Sequence, residues 1–469
     1  MTEFLAAYPE YAETGELDEL RVREYGYLDE QGHLYLDYTG AGLAARAQYR
    51  THAERLSGNL FGNPHSVNPT SEASTDLVER ARARVLEHFN ASPDEYTAVF
   101  TPNATGAARL VGEAYPFTRR TRLVLTFDNH NSVNGLREFA RRRHARTVYV
   151  PTQAPELRVD TAVLADALAH GRRGLFAYPA QSNFSGVRHP LDWIGLAQGL
   201  GYDVLLDAAA YLPTSTLDLS VVRPEFVMVS WYKLFGYPTG VGCLVARRDA
   251  LARLVRPWFS GGTIQAVSVG MPWHTMAPDE IAFEDGTVNF LAIPDVHFGL
   301  DWLAGIGVPL IGTRVRCLTG WLLRRLSELR HGDGSPMIRV YGPMGTDDRG
   351  GTVTFNFLDP EGNVVDERLV ATETAAARIS LRTGCFCNPG VGEDAFGLDM
   401  RALRALRGAR TESLDEYLQL IGLPTAGAIR VSLGLVSTVD DVDRFITFAE
   451  RTYRDRVPDT TGLPPRERC

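Results

Sequence analysis

The chain has 469 residues, too many for one small core, and 44% of them are hydrophobic, so one large and one smaller domain are expected. A formal net charge of -9, with no run of five or more like charges, argues against a broad basic field for nucleic acid. Small-molecule chemistry is the better starting point.

In chain order, MTEFLAAYPEYAETGELDEL is acidic and lacks the basic lead and apolar run of a secretory signal, so residues 1–35 read as an arm. No stretch approaches the roughly 18 apolar residues of a bilayer span, and the expectation is a cytoplasmic chain without a membrane partner. Between about 95 and 250, short apolar runs alternate with longer amphipathic ones: YTAVF, TGAARLVGEAY, RLVLTF, NGLREFARRRH, TVYV, GLFAYPA, LDWIGLAQGLG, YDVLLD, FVMVS and GVGCLVAR. Strands joined by crossover helices give this pattern, so an α/β fold with a mostly parallel sheet is expected in a large domain over 36–295. Ligands of such sheets sit at the carboxyl ends of the strands.

Beyond residue 295 come helical stretches, VHFGLDWLAGIG and RVRCLTGWLLRRLSELRHG, then the strand-like IRVYG, GTVTFNF and AIRVSLG, and a last helix through DDVDRFITFAERTYRD. This reads as a smaller α+β domain over 296–455. The final RVPDTTGLPPRERC, 456–469, has three prolines and little apolar content and reads as a mobile tail. The five cysteines, Cys243, Cys317, Cys385, Cys387 and Cys469, are odd in number and unevenly spread, which fits reduced thiols better than a disulfide framework.

Of 48 lysines and arginines only Lys233 is lysine. Arginine replaces lysine wherever a positive charge suffices, but its guanidinium stays protonated and forms no imine. A lone lysine after the strand-like FVMVS and before a glycine-rich turn therefore points to amine chemistry, and pyridoxal phosphate is the cofactor whose other needs the chain meets. A phosphate cradle is offered by FTPNATGAARLV, where a strand ending at Phe100 or Thr101 turns into a helix near Thr105 and Gly106. Asp207 closes YDVLLD and suits the pyridine nitrogen. His130, past RLVLTF, suits the ring face or a proton shuttle. Taken singly, the first two read equally as helix N-caps and the third as a solvated histidine.

In ISLRTGCFCNPG, two cysteines at C-x-C spacing lack a second Cys/His pair, so no metal is expected. A thiol in a Gly/Asn/Pro loop beside Arg382 suits a nucleophilic thiolate, and equally two structural thiols.

The blocks LYLDYTGAGL, LFGNPHSVN, TAVFTPNATGAARLVGEAYPF, DNHNSVNGLR, YPAQSNFSGV, LDAAAYLPTSTLDLS, SWYKLFGYPTGVG, FEDGTVNF, LRTGCFCNPG and IRVSLG run in order over roughly 34–450. They resemble the class V aminotransferase family of fold type I pyridoxal-phosphate enzymes, and within it the desulfurase domain of molybdenum cofactor sulfurases. The resemblance implies a homodimer with shared active sites. It makes Lys233 the Schiff-base lysine, Asp207 the pyridine partner, His130 the stacking residue and Asn183 the ligand of the phenolic oxygen. Thr105, Gly106 and Ser230 resemble the phosphate ligands, and Gly286 and Thr287 resemble those donated by the neighbouring subunit. Arg382 resembles the grip on a substrate carboxylate, with His65 and Asn183 near the substrate.

By the same resemblance L-cysteine, or a related amino acid, is the substrate. The freed Lys233 removes its α-proton, and Cys387 rather than Cys385 takes its sulfur as a persulfide for an unidentified acceptor, leaving alanine. Ala210 and Tyr232 stand where other cysteine desulfurases carry glutamine and histidine, choices shared with the molybdenum cofactor sulfurases. A carbon–sulfur β-lyase, an epimerase, a transaminase or a non-catalytic scaffold on the same fold stay open from the residues alone.

Overall fold

The computed structural model describes residues 1–466 except 65, 171–172, 399–402, 405, 407–408, 424 and 426. The apolar runs form seven strands of one sheet: β1 (Tyr96–Thr101), β2 (Arg122–Thr126), β3 (Arg146–Val150), β4 (Gly174–Pro179), β5 (Tyr202–Asp207), β6 (Phe226–Ser230) and β7 (Gly242–Arg247). Their order is β1-β7-β6-β5-β4-β2-β3. The pairs from β6 through β3 are parallel, and β7 runs antiparallel to both of its neighbours. Every residue of β1, β4 and β6 is buried. Helices cover both faces of a mostly parallel sheet, which is why its strands read as unbroken apolar runs rather than alternating ones.

In register, Asp207 lies between Pro179 of β4 and Met228 of β6, so the carboxyl ends of these strands end at one level. Beyond β1, Asn103 caps helix α1 (Ala104–Ala114), its side chain accepting from the N–H of Gly106. The five-residue helix α2 (Trp231–Phe235) follows β6 directly and carries Lys233.

Residues 338–432 contain an antiparallel sheet of β8 (Ile338–Tyr341), β9 (Thr352–Phe357), β10 (Arg382–Gly384) and β11 (Ala428–Ser432), in the order β8-β9-β11-β10. Helix α3 (Val308–Glu328) packs against it. The N-terminal segment joins this part of the molecule: Leu34–Tyr35 pairs with Ile379–Ser380, and Asp37 bridges to Ser432. Phe4 is fully buried beside Trp321, with ring centroids 5.6 Å apart.

At the proline-rich end Arg466 pairs with Asp366, Glu367 and Asp415 and is 9% exposed; Cys469 lies outside the described residues. One expectation meets a physical correction: Cys243, Cys317 and Cys387 are free thiols as expected, but Cys385 is buried and disulfide-bonded.

Candidate active site

Lys233, Asp207, His130, Asn183, Thr105 and Ser230, far apart in sequence, line one cleft of about 590 Å³ at the carboxyl ends of β4, β5 and β6. The sheet makes this inevitable: β5 ends on Asp207, β6 ends on Ser230, and one short turn of helix brings Lys233 back over the strand ends. Among the described residues the Lys233 amine has neither hydrogen bond nor ion pair. Burial pushes its pKa below the ordinary value, Asp207 opposes that shift, and Arg430 and Arg382 reinforce it. The carboxylate of Asp207 accepts from the N–H of Ala209 with one oxygen, at 3.0 Å. Its other oxygen has no hydrogen bond among the described residues, which suits a protonated ring nitrogen.

His130 caps the short helix Asn131–Asn134: its Nδ1 accepts from the N–H of Ser132 at 3.1 Å. The proton of a neutral ring then sits on Nε2. Burial, with the positive charge of Lys233, pushes the imidazole down to about 4, although Asp207 pulls the other way. Where α1 begins, Asn103, Ala104, Thr105 and Ser132 line the cleft, and the Thr105 and Ser132 hydroxyls lie 2.8 Å apart. The Gly106 N–H is occupied by Asn103 at 2.9 Å, and Gly106 lines a neighbouring cleft instead. That second cleft also takes Thr287, whose hydroxyl accepts from Asn63 at 3.4 Å. The N–H of Gly286 donates to the carbonyl of Gly261 at 2.8 Å. Within one chain, therefore, neither Gly286 nor Thr287 lines the Lys233 cleft. His65 lies outside the described residues.

The other side of the site comes from the smaller sheet. Phe386 and Cys387 both hold left-handed backbone, at φ 56° and 54°, a conformation that costs a residue bearing a side chain about 1–3 kcal/mol. The loop is pinned on each flank. Asn183 donates to the carbonyl of Phe386 at 2.9 Å and the N–H of Asn131 donates to that of Cys387 at 2.7 Å. Asn388 donates to the carbonyl of Asp128 and to Asn183 Oδ1, each at 2.8 Å. These bonds hold Cys387, an exposed free thiol, beside the residues of the Lys233 cleft.

Arg382 does not stand alone. Its Nε and Nη2 donate to Asp37 Oδ2 at 3.1 and 2.7 Å, while Arg430 Nη2 donates to Asp37 Oδ1 at 2.9 Å. One carboxylate thus serves two guanidiniums and leaves a net positive charge for a second carboxylate. Arg430 is buried, stands 4.9 Å from the Phe386 ring centroid, and keeps its Nε without a partner among the described residues. A Cβ at Gly40 would fall 2.4 Å from Asp37 Oδ2 and 2.6 Å from Arg382 Nη2, so a larger residue there would have to displace this pair. A Cβ at Gly42 would likewise meet the Lys233 carbonyl at 2.9 Å.

Sequence reasoning missed Asp37 and Arg430, although both stand in quoted blocks. The available signal was an arginine inside the strand-like AIRVS, all of whose residues are buried. A buried charge needs a partner.

A family model described as aminotransferase class-V matches residues 34–445. The molybdenum cofactor sulfurase of Bos taurus is 35% identical over 488 residues, covering 97% of this chain and 54% of that protein. The molybdenum cofactor sulfurase of Arabidopsis thaliana is 36% identical over 486 residues, covering 95% and 59%. The chain spans about half the length of the curated relatives it matches. A cysteine desulfurase structure from Thermococcus onnurineus superposes with a TM-score of 0.76 at 22% identity, covering 93% of this chain and 97% of that one, which establishes the shared fold.

Proposed function

We propose that this chain, which belongs to the class V aminotransferase family, is a pyridoxal-phosphate-dependent cysteine desulfurase that passes sulfur to an acceptor through Cys387. The observation that carries the reading is Lys233: the only lysine of the chain, enclosed at the strand ends beside Asp207, with no partner for its amine among the described residues. The relatives named molybdenum cofactor sulfurase and the desulfurase fold support it.

The donor set fits the cofactor. Thr105, Ser132 and Ser230, lining the cleft near the positive terminus of α1, would hold the phosphate. The free oxygen of Asp207 would hold the ring nitrogen, His130 would pack on the ring, and the second N–H of Asn183 would serve the phenolic oxygen. When bound, pyridoxal phosphate supplies an electron sink that acidifies the α-carbon of an amino acid.

The remaining chemistry belongs to the chain. Arg382 and Arg430 take the carboxylate of L-cysteine, each loosening its hold on Asp37. Lys233, favoured as the neutral amine by burial, removes the α-proton. Cys387 Sγ, as thiolate, bonds to the substrate sulfur while the Cβ–S bond breaks, its electron pair staying on carbon. Protonation of that carbon, and of Cα by Lys233, gives alanine and leaves a persulfide on Cys387.

A homodimer completes the site in this reading: a second copy brings Gly286 and Thr287 to the phosphate. The apolar hairpin over 264–276, where Val267, Val269, Met271 and Trp273 are exposed, supports such a contact. The test is the visible spectrum of the purified protein before and after L-cysteine, with alanine and sulfide assayed in the same tube. A yellow protein whose band shifts on mixing, with alanine formed, is expected. A yellow protein indifferent to cysteine would redirect the reading to another amino acid, and one that cannot be loaded would end it.

A further inference from the structure

Behind Gln181, away from the reacting groups, a pocket opens between the loop after β5 and the first turns of α3. With its mouth it encloses about 810 Å³. Arg188, Arg316 and Arg349 line it, and no acidic side chain does among the described residues. We propose that this pocket binds a phosphate-bearing small molecule.

The arginines are the reason. Among the described residues Arg188 makes no ion pair: its Nε donates to Gln181 Oε1 at 3.2 Å, its Nη2 to the Thr214 hydroxyl at 3.0 Å, and its guanidinium lies 5.7 Å from the Tyr211 ring centroid. Its Nη1 has no hydrogen bond among the described residues. Arg349 is 4% exposed and spends its donors on the carbonyls of Pro343, Ser185, Gly350 and Thr352, so its charge meets no acid. Burial pushes Arg349 down to about 10, with Arg158 adding to it, and lowers Arg188 as well, although Tyr211 and the nearby carboxylate of Asp348 pull Arg188 the other way. Of the three, among the described residues, only Arg316, at the rim, has an ion-pair partner, Glu10 at 3.0 Å.

Enclosed positive charge that no direct ion pair neutralises at Arg188 and Arg349 among the described residues is costly, and a multiply charged anion relieves it where a neutral ligand does not. The hydroxyls of Ser215, Thr216, Thr313 and Thr346 also line the pocket with no hydrogen bond among the described residues. Several hydroxyl donors around guanidiniums match the many acceptor oxygens of a phosphate better than the two of a carboxylate. The volume leaves room for an organic group beyond the phosphate.

The pocket also touches the active site. Thr214 lines both it and the cavity beside Lys233, and Arg188 holds Gln181, which lines the Lys233 cleft itself. Gly350 packs so closely on Gln181 that a Cβ there would come within 2.1 Å of its Oε1. An anion that draws Arg188 away loosens Gln181 directly. The site stands on its own geometry and does not depend on which amino acid reacts at Lys233.

The probe is pyrophosphate, titrated calorimetrically into the full chain loaded with pyridoxal phosphate, in buffer free of phosphate and sulfate, so that the cofactor's own phosphate cradle is filled. One saturable site per chain is expected. Arg188→Met should weaken it at least tenfold, and Arg141→Met, at an exposed arginine paired with Glu138 far from the pocket, should leave it unchanged. Thr313→Val, a milder change that keeps the guanidiniums, should weaken it about threefold and serves if Arg188→Met does not fold. Absence of saturable binding, or equal losses in Arg188→Met, Thr313→Val and Arg141→Met, overturns the proposal.

Discussion

The two halves of the candidate active site are built differently. The half around Lys233 stands on the ends of adjacent strands in one sheet, where neighbouring residues are fixed by register: Asp207 against Met228, and Lys233 five residues further on. The half around Cys387 is assembled from distant segments: Asp37 meets Arg382 across 345 residues and Arg430 across 393. The first is preorganised by the sheet. The second depends on two guanidiniums sharing one carboxylate and on a strained loop held by Asn183, Asn131 and Asn388. Perturbing the first should remove the chemistry altogether, whereas perturbing the second should leave cofactor binding and damage only the later steps.

The largest effect is expected from Lys233→Ala, which should lower alanine formation by roughly 10³-fold or more. No other lysine can substitute for it. Next, Cys387→Ser should cut alanine formation from L-cysteine by at least about 100-fold while the spectral change on mixing persists. Full turnover by Cys387→Ser would break the comparison, because the sulfur half would then be dispensable.

Asp37→Asn leaves two close guanidiniums without their shared counter-charge and should cost about 3 kcal/mol in urea unfolding, as breaking a buried pair does. A loss near zero would mean that the half-exposed Arg382 and its neighbour are already satisfied by solvent.

The smallest effect concerns pH. His130 is held near 4 in the folded chain, so between about pH 4 and 6.5 the unfolded chain binds more protons and stability rises with pH. Relative to a His130→Asn variant, the cofactor-free protein should gain roughly 2–3 kcal/mol between pH 4 and 7. Parallel stability profiles for the two proteins would show that the imidazole is not desolvated as the cleft implies.

The same contrast explains what the sequence discloses. Strand runs such as YDVLLD and FVMVS end in or just before residues that line the cleft, so Asp207, Ser230 and Lys233 could be placed at strand ends from periodicity and from the uniqueness of one lysine. Asp37 and Arg430 carry no such local mark, since their meaning is the partner that tertiary folding supplies. Gly106 illustrates the opposite limit: its N–H looks available in a cradle motif but is taken by the Asn103 cap. The proline-rich end looks uncommitted until Arg466 finds Asp366, Glu367 and Asp415. Local pattern reports backbone class well, and ion pairs between distant segments poorly.

The central claim is that Lys233 holds the cofactor, and borohydride reduction followed by peptide mapping tests it most directly. Reduction of the protein reconstituted with pyridoxal phosphate should place one phosphopyridoxyl group per chain on the peptide containing Lys233. An unmodified Lys233 peptide, or a label found only on the N-terminal amine, would contradict it.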